Sequence, residues 1–142
     1  MIETEMNPEM IKKIAEYFRN RTEVIAVYLF GSYAKGHERT SSDIDIGVLI
    51  EHEALADDKD VSMIYTVNLG RLLRKDCHVL IMNNAGEGVL AQIFNKGKCI
   101  FQRDPETLSR FKAFSYSMIA DFGYHRNIME KRIVSKILGA DQ

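Results

Sequence analysis

The sequence predicts an α/β domain: a mixed sheet flanked by helices and closed by a long C-terminal helix. Three observations carry this. Short apolar runs at 24–30 (VIAVYLF), 44–50 (IDIGVLI) and 77–82 (CHVLIM) read as strands. A segment of helical period lies between the second and third, and strand–helix–strand alternation is the mark of an α/β layer. From Pro105 to about Leu138 apolar residues keep helical spacing, with Gly123 as a point where the helix could bend. With 142 residues and neither repeat nor linker, the chain is one domain spanning 1–142, large enough for a single core without staples.

In chain order, the first helix starts at Asn7, a capping residue, followed by Pro8, whose fixed φ suits the first helical position. Ile11, Ile14, Ala15 and Phe18 recur at helical spacing, and Arg19 and Arg21 complement the negative end of the helix dipole. The run 24–30 is apolar throughout, which implies burial on both faces of the sheet. Gly31-Ser32 ends it. Residues 33–35 are read as one helical turn and 37–42 (HERTSS) as a polar loop.

After the second strand, residues 51–59 (EHEALADDK) are acidic and expected in solvent. Asp60 caps a helix whose apolar stripe is Val61, Ile64, Leu69, Leu72 and Leu73, with Arg71, Arg74 and Lys75 at its C-terminal end. The strand 77–82 leads to a turn at 83–88, a short helix at 89–95 closed by Lys96-Gly97, and an edge strand at 98–102. Pro105 opens the last helix. Leu108, Phe111, Phe114, Met118 and Phe122 mark its apolar side, and Met129, Ile133 and Ile137 continue it.

Composition sets bounds on function. The formal net charge of −1 supplies no global basic field, which argues against a grip on long nucleic acid. Cys77 and Cys99 lack metal-type spacing, the N-terminal MIETEMNPEM is acidic and polar rather than a leader, and no apolar run is long enough to span a membrane. The expectation is a cytoplasmic protein with both cysteines as thiols packed in strands.

The chemistry concentrates at Gly31, Ser32, Asp43 and Asp45. Residues two apart on a strand share a face, so Asp43 and Asp45 present two carboxylates about 6–7 Å apart at the backbone. Gly31 lets backbone amides approach a phosphate, and Ser32 adds a hydroxyl and an amide where a helical turn begins, a place that favours anions. Oxygen ligands from two carboxylates, completed by waters and phosphates, suit Mg²⁺. The expected site is therefore a nucleoside triphosphate held by Gly31 and Ser32, with Mg²⁺ on Asp43 and Asp45.

These segments, LFGSYAKG (29–36) and SDIDIGVL (42–49), resemble the signature of the nucleotidyltransferases of the DNA polymerase beta superfamily. The closest resemblance is to the minimal nucleotidyltransferases paired with HEPN-domain proteins. VLAQIFNKGKCIFQRD (89–104) and ADFGYHR (120–126) look like the family's weaker late motifs. The resemblance implies the minimal nucleotidyltransferase fold. It also implies AMP transfer from ATP, with Mg²⁺, to a protein hydroxyl: a tyrosine of a HEPN ribonuclease toxin that this chain neutralises as antitoxin. The chain departs from the pattern where a third carboxylate usually stands. In the family that acid opens a run of Asp, two or three apolar residues, then Asp-Leu-Asn; aligning MNNA (82–85) with its end puts His78 in the first acid's place and Ile81 in the second's, with Asp76 two residues before His78 on the same face. A neutral His accepts a proton near neutral pH but is a poorer partner for Mg²⁺.

Three readings follow. The first is a protein adenylyltransferase, favoured because little chain beyond the nucleotide-binding core is available to hold a small acceptor, whereas the long last helix offers a docking surface. The second is a catalytically weakened nucleotide-binding antitoxin that neutralises its toxin by contact, with His78 marking the loss. The third is an aminoglycoside-type nucleotidyltransferase completed by a homodimer. Assembly as homodimer or hetero-oligomer stays open. Lys35, His37 and Arg39 lie between the motif halves, where one of them could reach the triphosphate. His52 and His125 have no ligand partner at useful spacing.

Overall fold

Four strands form one sheet in the order β3-β2-β1-β4, with β1 Val24–Phe30, β2 Ile44–Ile50, β3 Cys77–Ile81 and β4 Lys98–Gln102. The sheet is mixed: β1 runs antiparallel to β2 and to β4, while β2 and β3 are parallel. The computed structural model describes residues 8–31 and 43–137. Four α-helices accompany the strands: α1 Pro8–Arg19, α2 Asp58–Leu73, α3 Glu87–Lys96 and α4 Pro105–Ile137. The expected α/β architecture, with a flanked mixed sheet and a long last helix, is the one observed, and β4 lies at an edge as its composition suggested.

The strands sort their side chains by alternation. Val27 and Leu29 of β1, Ile44, Ile46 and Val48 of β2, and Val79 and Ile81 of β3 pack with Ile14 and Phe18 of α1 and Tyr65 and Leu69 of α2. Ala26, Tyr28 and Phe30 of β1 and Leu49 of β2 pack on the other face with Leu90, Ile93 and Phe94 of α3 and Leu108 of α4. All seven β1 residues are buried because helices cover both faces of this central strand. Gly47 faces α3 where a Cβ would stand 3.2 Å from both Met82 Cγ and Ile93 Cδ1. The missing side chain lets the helix lie close.

Two expectations are corrected. The stripe read from apolarity holds in part: Leu69 is buried and Val61 and Leu73 pack against the core, but Ile64 and Leu72 are 53% and 44% exposed and Tyr65 takes an inward place instead. Polar residues share the inward side. Ser62 Oγ donates to Val79 O (2.6 Å), and Val79 N–H donates to Thr66 Oγ1 (3.3 Å), so α2 occupies backbone groups of β3 that an edge would leave open. Tyr65 OH donates to Glu23 Oε2 (2.5 Å) and packs edge-on against Phe18.

The second correction concerns the turns. Residues 52–57 of the acidic segment form a 3₁₀ turn with Ala54 packed against the core, and α2 begins at Asp58 rather than after Asp60. β3 stops at Ile81 because Met82–Asn84 tighten into another 3₁₀ turn, and α3 starts at Glu87 rather than Val89. Asn83 explains the early stop. Ile50 N–H donates to Asn83 Oδ1 (3.0 Å) and Asn83 Nδ2 donates to Ile50 O (2.8 Å), so a side-chain amide takes over the ladder at the end of β2.

The first half of α4 packs on the domain through Leu108 and Ser115, whose Oγ donates to Phe111 O (2.8 Å), while Phe114, expected on its apolar side, is 60% exposed. Further along, Met129, Ile133 and Ile137 recur every four residues and are all exposed. Among the described residues no helix is long and apolar enough to cross a membrane. Cys77 and Cys99 are free thiols. Asn7, Ser32, Lys35, His37 and Arg39 lie outside the described residues.

Candidate active site

β1 delivers Gly31 and β2 delivers Asp43 and Asp45 to the same end of the sheet, because the two strands run antiparallel with Phe30 opposite Asp45. Asp45 is on the face that carries Gly47 and Leu49, away from Ile44 and Ile46. Its carboxylate fills the space where Gly31 lacks a side chain. A Cβ at residue 31 would overlap Asp45 Oδ2 and stand 3.2 Å from Asp45 Cγ. Gly31 also has φ +76°, a left-handed conformation that glycine adopts at no steric cost. The sequence-level pairing of a glycine with the aspartates is thus a direct packing relation.

Asp43 is exposed and Asp45 half-buried, its side chain 33% exposed. Burial holds the Asp45 carboxyl above its ordinary value. His78 pulls it down, and the neighbouring Asp43 charge pushes it up again. A carboxylate that is partly desolvated beside a like charge gains from a cation. Among the described residues no group of three or more His, Cys, Asp or Glu side chains is arranged to hold a metal ion. Two carboxylates with phosphate oxygens as further ligands suit Mg²⁺, which keeps waters and seldom sits in an all-protein cage. The donor set fits that ion.

The parallel register pairs Asp45 with His78, so His78 stands beside Asp45 with no shift of strand. His78 Nδ1 is 3.9 Å from Asp45 Oδ1, a neighbour beyond hydrogen-bonding distance, and the imidazole is 67% exposed. Asp76 lies one place before the first β2–β3 pair, where its carbonyl accepts Ile44 N–H (2.9 Å). It therefore adjoins Asp43, not Asp45. The structure brings Gly31, Asp43, Asp45 and His78 together; Ser32, the remaining expected member, is outside the described residues.

Sequence reasoning missed two residues that hold this arrangement. Asn83 fixes the far end of β2 as described above. Arg103 donates from Nε to Val24 O (3.0 Å), and from its terminal nitrogen to Phe18 O (3.3 Å), Arg19 O (2.8 Å) and Arg21 O (3.2 Å). A guanidinium thus donates to carbonyls at and just beyond the end of α1, of which Phe18 O also accepts Arg21 N–H and Arg21 O accepts Val24 N–H, and ties them to the start of β1. No local pattern announces either contact, since the partners of Arg103 lie about eighty residues away in sequence.

A glycine-ended strand abutting a strand opened by paired aspartates, on a mixed sheet with helices on both faces, defines a nucleotidyltransferase-type domain. Residues 12–106 match the family described as polymerase beta nucleotidyltransferase, and the chain belongs to that family. Its fold is also that of chains in solved toxin–antitoxin complexes. A mutant of the toxin–antitoxin MntA–HpeT matches with a TM-score of 0.72 at 24% identity, over 87% of this chain and 98% of that one. The tri-AMPylated Shewanella oneidensis HEPN toxin in complex with MNT antitoxin matches with a TM-score of 0.68 at 22% identity, over 89% and 97%. A toxin–antitoxin crystal structure with AMP-PNP matches with a TM-score of 0.68 at 22% identity, over 91% and 99%. At such identities the likeness speaks for the fold. Comparison with proteins of curated function finds no match.

Proposed function

We propose that this nucleotidyltransferase is an antitoxin that transfers AMP from ATP to a hydroxyl of a HEPN-domain toxin, a tyrosine by chemical type. The observation that carries the reading is the constellation at the mouth of the sheet. Gly31 is packed against Asp45, Asp43 stands beside it, and His78 adjoins Asp45 on the other side. Family membership supports reading it as a nucleotidyl-transfer site, and the similar folds found in complexes with HEPN toxins, one of them tri-AMPylated, support the acceptor.

In this reading Gly31 and Ser32 hold the triphosphate. Asp43 and Asp45 would hold Mg²⁺, which neutralises triphosphate charge and favours departure of pyrophosphate. Asp45, fixed between Gly31 and His78, orients the site; His78 accepts the proton of the attacking hydroxyl. The exposed row Met129, Ile133 and Ile137 on α4 supports docking of a protein partner, since an unpaired apolar helix face fits a partner better than water. The chain would work in a reducing cytoplasm, which suits two free thiols.

The test is intact mass spectrometry of the protein encoded next to this chain, after incubation with the chain and MgATP. Mass gain in AMP steps, absent with the Asp43→Asn/Asp45→Asn variant, is the expected result. Co-purification of the two proteins with no mass gain would reject adenylyl transfer and leave neutralisation by contact.

A further inference from the structure

The outward face of α2 is apolar in its middle and charged at its ends. Asp60, Ile64, Val67, Arg71 and Arg74 follow one another at intervals of four and three residues, the spacing of a seam between two packed helices. All five are exposed, and Met63 beside them is 67% exposed. Tyr65 and Leu69, on the opposite side of the helix, are buried in the core, so the stripe points away from the sheet. Asp60 lies in the first turn, while Arg71 lies in the last turn and Arg74 directly follows the helix. The helix dipole accounts for an acid first and bases last. It does not account for Met63, Ile64 and Val67 between them, since a solvent-facing helix surface is ordinarily polar.

The same face carries a hollow. Val67, Gly70, Arg71 and Arg74 contribute to a groove of about 350 Å³. Outside its own helix, a Cβ at Gly70 would meet only Lys75 O among the described residues, at 3.5 Å. Glycine weakens a helix interior, so this opening has a cost in helix propensity.

We infer that this face pairs with the same face of a second copy of the chain, the two α2 helices lying antiparallel about a two-fold axis at Val67. Under a two-fold axis every contact occurs twice, so a surface pairs with itself only where its two ends complement one another. The α2 face does so in charge and in shape. With Val67 against Val67, Asp60 of each copy reaches the level of Arg74 of the other, because both stand seven residues from the axis. Met63 and Ile64 of one copy reach the levels of Gly70 and Arg71 of the other. Around the helix, Met63 and Gly70 lie to one side of Val67, and Ile64 and Arg71 to the other. The thioether of Met63 therefore enters the hollow at Gly70, and Ile64 lies along the aliphatic stem of Arg71. A parallel pair would set Asp60 against Asp60 and Arg74 against Arg74, which like charges oppose. An acidic partner would suit one end of the face and a basic partner the other; a second copy suits both.

The contact is one helix wide, smaller than a standard interface, which places association in the micromolar range. α2 covers the sheet face opposite to the one that carries Asp45, so pairing leaves the candidate active site open. The inference therefore stands apart from the adenylyl-transfer reading.

The experiment is sedimentation velocity of the full chain without nucleotide, from about 1 to 200 µM, a range that brackets micromolar association. The wild type should pass from monomer toward dimer. Asp60→Arg and Arg74→Asp each place like charges together twice, and each should weaken dimerisation about tenfold or more. The double variant Asp60→Arg/Arg74→Asp restores opposite charges at both ends and should return to within about threefold of the wild type. Aspartate tolerates the left-handed backbone at position 74, where φ is +54°, and circular dichroism checks the fold of every variant. Val67→Glu sets two carboxylates at the axis and should leave monomer only; its side is open to solvent, so the fold does not depend on it. A wild type that is monomeric throughout would overturn the pairing. So would a double variant as weak as the single ones, or a dimer that Val67→Glu leaves intact. A monomeric wild type whose hold on the protein encoded next to it is lost in Val67→Glu would give the face to that protein and remove the second copy.

Discussion

Gly31 and Asp45 occupy one space between them: the carboxylate of Asp45 sits where any side chain at position 31 would begin. The glycine is doubly required, since its φ of +76° also disfavours an L side chain. Gly31→Ala should cost more than about 1 kcal/mol of stability. Its effect on AMP transfer should be larger, on the order of 100-fold, because the new methyl displaces Asp45 from its place. Thermal melting together with single-turnover transfer separates the two effects. A folded variant with wild-type transfer would show that the Asp45 position is not critical.

The site was legible in the sequence to the extent that strands made it so. β1 and β2 are continuous apolar runs with clear ends, so their boundaries, and the shared face of Asp43 and Asp45, follow from alternation alone. α2 was harder to read. Its inward face carries Ser62, Thr66 and Tyr65, which pack with polar tips satisfied by Val79 and Glu23, while Met63 and Ile64 point outward. A stripe drawn through apolar residues catches Val61, Leu69 and Leu73 but misplaces Ile64 and Leu72 and overlooks Tyr65. Asn83 and Arg103 act across long separations, and contacts of that kind leave no periodic trace.

His78 is the position where chemistry and register meet. It pairs with Asp45 across parallel strands, 3.9 Å from its carboxylate, in the place where the family resemblance expects an acid. His78→Asp should raise transfer at least about tenfold if a carboxylate is the better base and metal partner. His78→Ala should lower it. Both variants should keep the wild-type fold, since the side chain is mostly exposed. Wild-type rates in both would assign proton removal to another group.

Asp104 caps α4 and gives the fold a pH dependence of known sign. Its Oδ2 accepts from Thr107 Oγ1 (2.6 Å) and its Oδ1 from Thr107 N–H (3.1 Å), and these bonds hold its carboxyl below the ordinary value of 3.8. A folded-state value below the unfolded one means that the cap stabilises above the ordinary carboxylate range. That contribution disappears as pH falls through the depressed value. The melting temperature of Asp104→Ala should therefore lie below that of the wild type at pH 7, and the gap should narrow below pH ~4. A gap independent of pH would mean that the carboxylate charge adds nothing to the cap.

Arg103 supports the fold from the far end of β1. Its guanidinium donates to the carbonyls of Val24, Phe18, Arg19 and Arg21, its amide donates to Ile25 O (2.7 Å), and its side chain lies 5.3 Å from the centre of the Phe101 ring. Arg103→Ala removes a charged donor from several carbonyls at once. Because the contacts are partly open to water, which can replace them, the loss should be about 1–2 kcal/mol in urea unfolding with an unchanged slope. Arg103→Lys should recover less than half, because a point charge cannot bridge carbonyls set in different directions. Gly31 lies at the opposite end of β1, so kcat for AMP transfer should stay at the wild-type value in both variants below their melting temperatures. A fall in kcat without loss of stability would mean that the α1–β1 junction moves with the active site.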